Sequence, residues 1–245
     1  EMIECLVGSE MCIRDRKDVL VNQNNIRVAQ DNVLGSSMSL QGMSGQNIKI
    51  LIDGIPVIGR LNGNIDISQI NLNTIERIEI VEGPLSVNYG TDALAGTINL
   101  ISKTNNKDGF SSTLNSYYEN IGQYNVDGSI SVKEGNNSVT LSLGRNFFDG
   151  WNADDNFFEF PQSRLADTLR YKQWKPKEQY FSRLAYQLKR QNFTFSPYLS
   201  YFYEKITNRG LPRAPYNETA FDDEYNSWRV AVSYTHLRAH ETLDH

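Results

Sequence analysis

The chain has little of what catalytic and metal sites are built from. Of 245 residues only two are cysteine and three histidine. Cys5 and Cys12 fall near the start, and His236, His240 and His245 near the end. The long body between them therefore holds no disulfide framework, no Cys/His metal set and no imidazole base for a nucleophile. No run of about 18 apolar residues is present, which excludes a spanning helix. The net charge of −5 and the charged fraction of 22% leave no basic footprint for nucleic acid. Tyrosine (13) and phenylalanine (11) are plentiful by contrast. Aromatics with many Ser, Thr and Asn suit β structure, including a membrane barrel, which a hydropathy scan misses because its two faces alternate. The length allows one or two domains with a sizeable core.

Both ends are set apart. The head Glu4–Arg16 (ECLVGSEMCIRDR) and the tail Val232–Thr242 (VSYTHLRAHET) resemble translated sequencing-adaptor DNA. Residues 1–16 and 232–245 are accordingly expected to be adaptor-like artefact and are set aside. Both cysteines and all three histidines leave the functional argument with them. That includes His236 and His240, whose i, i+4 spacing would otherwise suggest zinc. The head also lacks the basic and apolar regions of a secretory signal, which in an internal piece says nothing of destination.

Residues 48–103 organise the chain. Ile48, Ile50 and Ile52 share one strand face, as do Ile78 with Ile80 and Ile98 with Leu100. Asp53-Gly54 and Gly83-Pro84 end two of these strands as turns. Earlier, Val19, Val21, Ile26 and Val28 predict strands within 17–30, and 31–37 reads as a turn into Met38-Ser39-Leu40. Residues 56–66 read as a glycine-bearing loop. Ser68–Ile70 and Asn73–Glu76 read as helical turns, the second with Asn73 as cap and Glu76 in a capping box. Gly42-Met43-Ser44-Gly45 brushes a nucleophile-elbow pattern, but Gln46 stands where its last glycine belongs. Strand alternation turns Glu79 away from Glu76 and Glu82, so these carboxylates do not converge for catalysis. On physical grounds this is a compact α+β domain without visible chemistry.

After a polar hinge at 104–110 the runs lengthen and alternate. Strands are predicted over 111–119, 124–133, 138–147, 179–189 and 193–203, with a last one starting near Tyr225. In the second, Val126, Ile130 and Val132 oppose Asn125, Asp127, Ser129 and Ser131. Residues 134–137 and 189–192 are tight polar turns, whereas 148–177 and 204–224 are long loops. Short turns at one end and long loops at the other are the asymmetry of an outer-membrane barrel. Phe147, Tyr201 and Tyr203 then suit its aromatic girdle. A soluble β-sandwich is the rival, though such long loops are uncommon there. Asp154-Asp155 and Asp222-Asp223-Glu224 would attract a hard cation. Their spacing matches no binding loop, so they read as solvated acidic loop and no metal site is assigned.

LIDGIPV, DISQI, IERIEIVEGPLSVNYG and ALAGTINLISK, in this order and spacing, resemble the plug domain of TonB-dependent outer-membrane receptors. The pattern residues are Asp53, Gly54, Glu76, Arg77, Glu79, Gly83, Pro84, Tyr89, Gly90, Gly96 and Asn99. Two departures stand out: Gln41-Gly42 where the family often has Arg-Gly, and Glu82 where it often has Arg before Gly-Pro. The resemblance implies an α+β plug domain over 17–103, then antiparallel β strands of an incomplete transmembrane β-barrel over 111–231. It implies an internal piece of a receptor for energy-coupled uptake of a scarce ligand of the siderophore, haem, cobalamin or oligosaccharide class. It further implies the partners TonB, with its inner-membrane energising complex, and outer-membrane lipid. No cofactor, catalytic group or nucleic acid is expected. The ligand-contact candidates are Arg60, Asn62 and Asn64 in the plug loop and Trp151, Arg209, Arg213 and Tyr216 in the long loops. A β-rich surface adhesion protein that moves nothing is the alternative.

Overall fold

The computed structural model describes residues 2–6, 26–31, 35–57, 65–82, 93–104, 107–152, 171–191, 193–210, 222–233 and 236–238. The chain divides into two compact units, Glu1–Thr104 and Asn105–His245.

The first unit holds β1 (Met2–Leu6), β2 (Ile26–Asp31), β3 (Gly35–Leu40), β4 (Met43–Ser44), β5 (Ile48–Ile52), β6 (Ile55–Pro56), β7 (Ile75–Glu82) and β8 (Gly96–Ser102). β1, β7, β8, β5 and β6 form a mixed sheet in that order, with β5 and β8 its parallel pair. β2, β3 and β4 form a second, antiparallel sheet. The alternating face predicted from sequence is the buried one. Ile48, Ile50, Ile78, Ile80, Ile98 and Leu100 share one cluster with Ile26, Met38 and Leu40 of the second sheet. Burying each such side chain is worth about 1.5–3 kcal/mol, so the cluster is the main stabilising feature of the unit. Two hairpins turn in the same way. Gln41 and Gly42 have φ of 52° and 80°, and Asp53 and Gly54 have 51° and 80°. Positive φ at both turn residues marks the type I′ turn that matches strand twist.

Several expectations for this unit shift. Asp31 pairs with Gly35, so the strands invade the turn predicted for 31–37. The second helical turn is a 3-10 turn over Leu72–Thr74, and Asn71 rather than Asn73 caps it. The Asn71 side chain accepts from the Asn73 N–H at 3.0 Å, while Glu76 already lies in β7. The first is a 3-10 turn over Ile67–Gln69, where the Ser68 N–H and hydroxyl donate to the Asp66 carboxylate at 3.0 and 2.6 Å. A register shift between Ile75 and Arg77 places the extra residue Glu76 in a bulge. The bulge lets Ile75 and Ile78 both face the core, and it invalidates counting alternation back from Glu79 to Glu76. Val19 and Val21 lie outside the described residues.

The second unit is one antiparallel sheet. Its long strands are β9 (Gly109–Glu119), β10 (Gln123–Glu134), β11 (Asn137–Phe148), β12 (Lys177–Arg190), β14 (Tyr198–Arg209) and β15 (Asp222–Ser233). They lie side by side in sequence order. The run predicted over 193–203 is broken. Phe193–Phe195 forms a short β13, and β14 begins only after Pro197, whose carbonyl accepts the Tyr186 N–H at 3.0 Å. Proline has no N–H to give to a ladder. The loop predicted over 204–224 is shorter, because β14 continues to Arg209 and β15 starts at Asp222. Alternation persists through that polar stretch, with Glu204 and Ile206 buried. Asp222-Asp223-Glu224 consequently belong to a strand rather than a loop. Gly135, with φ 55°, opens the β10–β11 turn, and a further short turn joins β9 to β10 at the long-loop end.

The exposure of the faces separates barrel wall from sandwich. Val126, Ile130, Val132, Leu141, Leu143, Leu184, Leu199 and Val230 are 40–54% exposed. On the other face Asn125, Asp127, Ser131, Ser142, Gln179 and Glu204 are buried. A soluble sandwich buries its apolar face, and here that face is outward, as on a wall that meets lipid. The short strands β1, from the head, and β16 (His236–Arg238), from the tail, pair with β7 and β13. Backbone pairing at a strand edge is indifferent to side-chain pattern.

Candidate functional site

In the first unit the pattern residues meet in one polar network on the sheet face away from the core. β5 and β8 run parallel until Ile52 pairs with Leu100. At Asp53 the backbone turns left-handed, so the ladder would stop there. The Asp53 carboxylate substitutes for the lost carbonyl and accepts the Ser102 N–H at 2.8 Å, while the Asp53 N–H donates to Leu100 O at 3.0 Å. From β8, the Asn99 side-chain oxygen accepts the Gly54 N–H at 2.9 Å. The Asn99 amide donates to Glu79 at 3.1 Å, and the Arg77 Nε donates to the same carboxylate at 3.0 Å. Asp53, Gly54, Asn99, Glu79 and Arg77 thus tie the hairpin turn to β8 and β7. Gly96 opens β8 with φ 151°, and Glu76 occupies the bulge. Gly83, Pro84, Tyr89 and Gly90 lie outside the described residues.

In the second unit the cross-strand register sorts the outward face into rows. Three mainly apolar rows are followed, toward the long loops, by aromatic ones. Tyr118, Tyr124 and Phe147 are successive partners, with ring centroids 5.1 and 5.9 Å apart. Tyr180, Tyr203 and Trp228 form the adjacent row. Phe147 and Tyr203 therefore join the predicted girdle, and Tyr201 lies one row nearer the apolar band. Arg145 sits in the girdle, its Nη2 2.6 Å from Glu178 Oε1. The inward face is largely polar on β9 to β12, where Asn115 donates to Asp127 at 3.0 Å and Gln179 to the buried Glu204 of β14 at 2.7 Å. β14 adds the buried Phe202 and Ile206.

Above the girdle, the base of the loop between β11 and β12 is a built stem. Trp151 and Trp174 exchange backbone hydrogen bonds of 3.0 and 2.9 Å, in register with the ladder below. Asn152 accepts the Gln173 N–H at 2.6 Å and donates to Tyr171 O at 3.2 Å. Gly150 has φ 82°, and a Cβ there would lie 2.8 Å from Trp174 O. Lys175 is buried; its Nζ lies 4.0 Å from the Tyr171 ring centroid and donates to Arg209 O at 3.3 Å. Burial pushes this ammonium below the ordinary lysine value. The stem thus brings Trp151 and the Arg209 backbone to one place. Arg60, Asn62, Asn64, Arg213 and Tyr216 lie outside the described residues. Sequence reasoning missed Gly150, Asn152 and Lys175. Their signal was faint: a glycine and a tryptophan at one end of an aperiodic loop, and Trp-Lys-Pro at the other.

The family model described as TonB-dependent Receptor Plug Domain matches residues 12–97. Among solved structures, a variant of the ferric enterobactin receptor PfeA from Pseudomonas aeruginosa is 14% identical with a TM-score of 0.69, covering 98% of this chain and 38% of its own. The siderophore receptor PirA from Acinetobacter baumannii is also 14% identical, with a TM-score of 0.56 over 95% of this chain and 44% of its own. The FrpB iron transporter from Neisseria meningitidis is 15% identical, with a TM-score of 0.59 over 89% and 34%. The chain spans less than half the length of these structures. Receptors of this type are outer-membrane transport proteins and not enzymes. With its plug pattern tied into one network and its sheet apolar on the outside, the chain carries a TonB-dependent receptor plug domain over residues 12–97 and shares the plug-and-barrel-strand fold of these receptors.

Proposed function

We propose that the protein carrying this chain takes up a scarce ligand across the outer membrane, with energy delivered through TonB. The observation that carries the reading is the pairing of two units in one chain. One matches the plug domain; the other is a wall apolar outside and largely polar inside. TonB, driven by the inner-membrane complex, pulls on the plug, and the long loops meet the ligand first. The similar structures are a ferric enterobactin receptor, a siderophore receptor and an iron transporter, which makes a ferric chelate the first ligand to test, ahead of haem, cobalamin and oligosaccharides. We further read the chain as an internal piece of such a receptor, since a plugged transporter closes with roughly 22 strands. The test is uptake of labelled ferric chelates by cells carrying the intact gene, with TonB present and deleted. Uptake should require TonB. Surface binding of the ligand without TonB-dependent accumulation would favour the adhesion reading instead.

A further inference from the structure

We propose that the Lys175 side chain is a latch joining the stem of the β11–β12 loop to the end of β14, so that the stem and the base of the β14–β15 loop open together. The inference goes beyond the uptake reading and does not rest on it.

The latch fills a gap in the ladder between β12 and β14. Continued past Lys177 and Ile206, their register sets Pro176 opposite Thr207 and Trp174 opposite Arg209. Antiparallel pairs of this kind exchange both of their N–H···O bonds. Proline has no N–H to give, so the first pair keeps only the bond from the Thr207 N–H to Pro176 O, at 3.0 Å. The second pair is diverted. The Trp174 N–H donates to Trp151 O at 2.9 Å, and Trp174 O accepts the Trp151 N–H at 3.0 Å. Lys175 Nζ donates to Arg209 O at 3.3 Å instead, standing in for the Trp174 N–H. Arg209 in turn pairs with Asp222 at the last step of the β14–β15 ladder. What holds its carbonyl therefore holds the base of the second long loop.

The latch is poised rather than tight. An ammonium has several N–H donors to satisfy. Buried Lys175 has Arg209 O as its one oxygen acceptor among the described residues, with the Tyr171 ring centroid 4.0 Å from Nζ. Burial strips the cation of hydration. Release returns it to water at the cost of one bond and one ring contact, so closed and open states lie close in free energy. Tyr171 itself belongs to the stem, where its carbonyl accepts from Asn152 at 3.2 Å. Opening the stem withdraws the ring and weakens the hold on Arg209. Coupling of this kind is reciprocal, and a two-state element biased from both sides is what carries it.

The test is amide exchange, read by mass spectrometry on the intact receptor in detergent, at the stem and over the ends of β14 and β15. Two variants open the stem while leaving Lys175 in place. G150A does so through its clash with Trp174 O, and the milder N152A by losing the bonds to Gln173 and Tyr171. N152A carries the test if G150A does not fold. With Lys175 present, stem opening should speed exchange at Thr207 to Arg209 and at Asp222 to Glu224 by about tenfold. K175M alone should raise exchange there, and stem opening in the K175M background should add nothing more. K175R keeps a donor and should preserve the transmission. Faster exchange in the stem with the β14–β15 end still protected overturns the proposal. So does equal transmission in the K175M background, or its loss in K175R. None of these outcomes bears on TonB-dependent uptake.

Discussion

Asp53 is asked to do two things at once: adopt a left-handed backbone at φ 51° and replace a ladder carbonyl for Ser102. Three substitutions separate them. Asp53→Ala loses a charged hydrogen bond, about 1.5–3 kcal/mol, and forces alanine into the left-handed region, about 1–2 kcal/mol. The sum is about 2.5–5 kcal/mol. Asp53→Gly loses the bond but not the backbone freedom, and should cost about 2–3 kcal/mol. Asp53→Asn keeps an acceptor and tolerates the left-handed region, so about 1 kcal/mol is expected. Amide exchange at Ser102 and Gly54 in the intact receptor reads the local opening. Alanine should lower protection there roughly a hundredfold, glycine less and asparagine least. Alanine tolerated as well as asparagine would refute the carboxylate's role in the ladder. Glycine as damaging as alanine would show that the left-handed turn adds no strain.

Gly150→Ala should open the loop stem, because its Cβ would meet the paired carbonyl of Trp174 and two Pro176 ring carbons at 2.8–2.9 Å; a cost of about 3 kcal/mol or more is expected, seen as new proteolytic cleavage between the stem strands. Leu143→Arg, near the middle of the outward face, should destabilise the folded receptor in lipid by about 2–4 kcal/mol, whereas Tyr124→Arg in the girdle should cost about 1 kcal/mol or less, read as the shift in the denaturant midpoint. For Lys175 the sign follows from its lowered value in the fold. The folded stem binds that proton less tightly than the unfolded chain, so stem stability rises as pH climbs from the folded value through the ordinary one near 10.4. Tryptophan fluorescence of the stem should report this gain, and Lys175→Met should remove the Lys175-dependent part of it.

The strands and the core of the first unit were legible because period-two alternation is a direct image of one buried face. Ile48, Ile50, Ile78, Ile80, Ile98 and Leu100 were all named before their packing was known. What failed were local details that several patterns fit equally well. Asn71 and Asn73 are both acceptable caps by type, and only the chain path chose Asn71. The bulge at Glu76 leaves no mark in a sequence, since it arises from fitting Ile75 and Ile78 to the same core. Glu204 reads as a loop residue until β14 and β12 pair and bury it against Gln179.

By itself, then, the sequence determined the plug pattern, the alternation of the later strands and the lack of cysteine and histidine between Cys12 and His236. Those follow from residue type and spacing, which survive without coordinates. Tertiary structure alone decided that Asp53, Asn99 and Glu79 form one network, because β5 and β7, 22 or more residues apart in the chain, meet on either side of β8. It likewise decided that the apolar face of the second unit is the outward one. Alternation says only that two faces differ; which of them meets lipid is settled by where the strands are laid down.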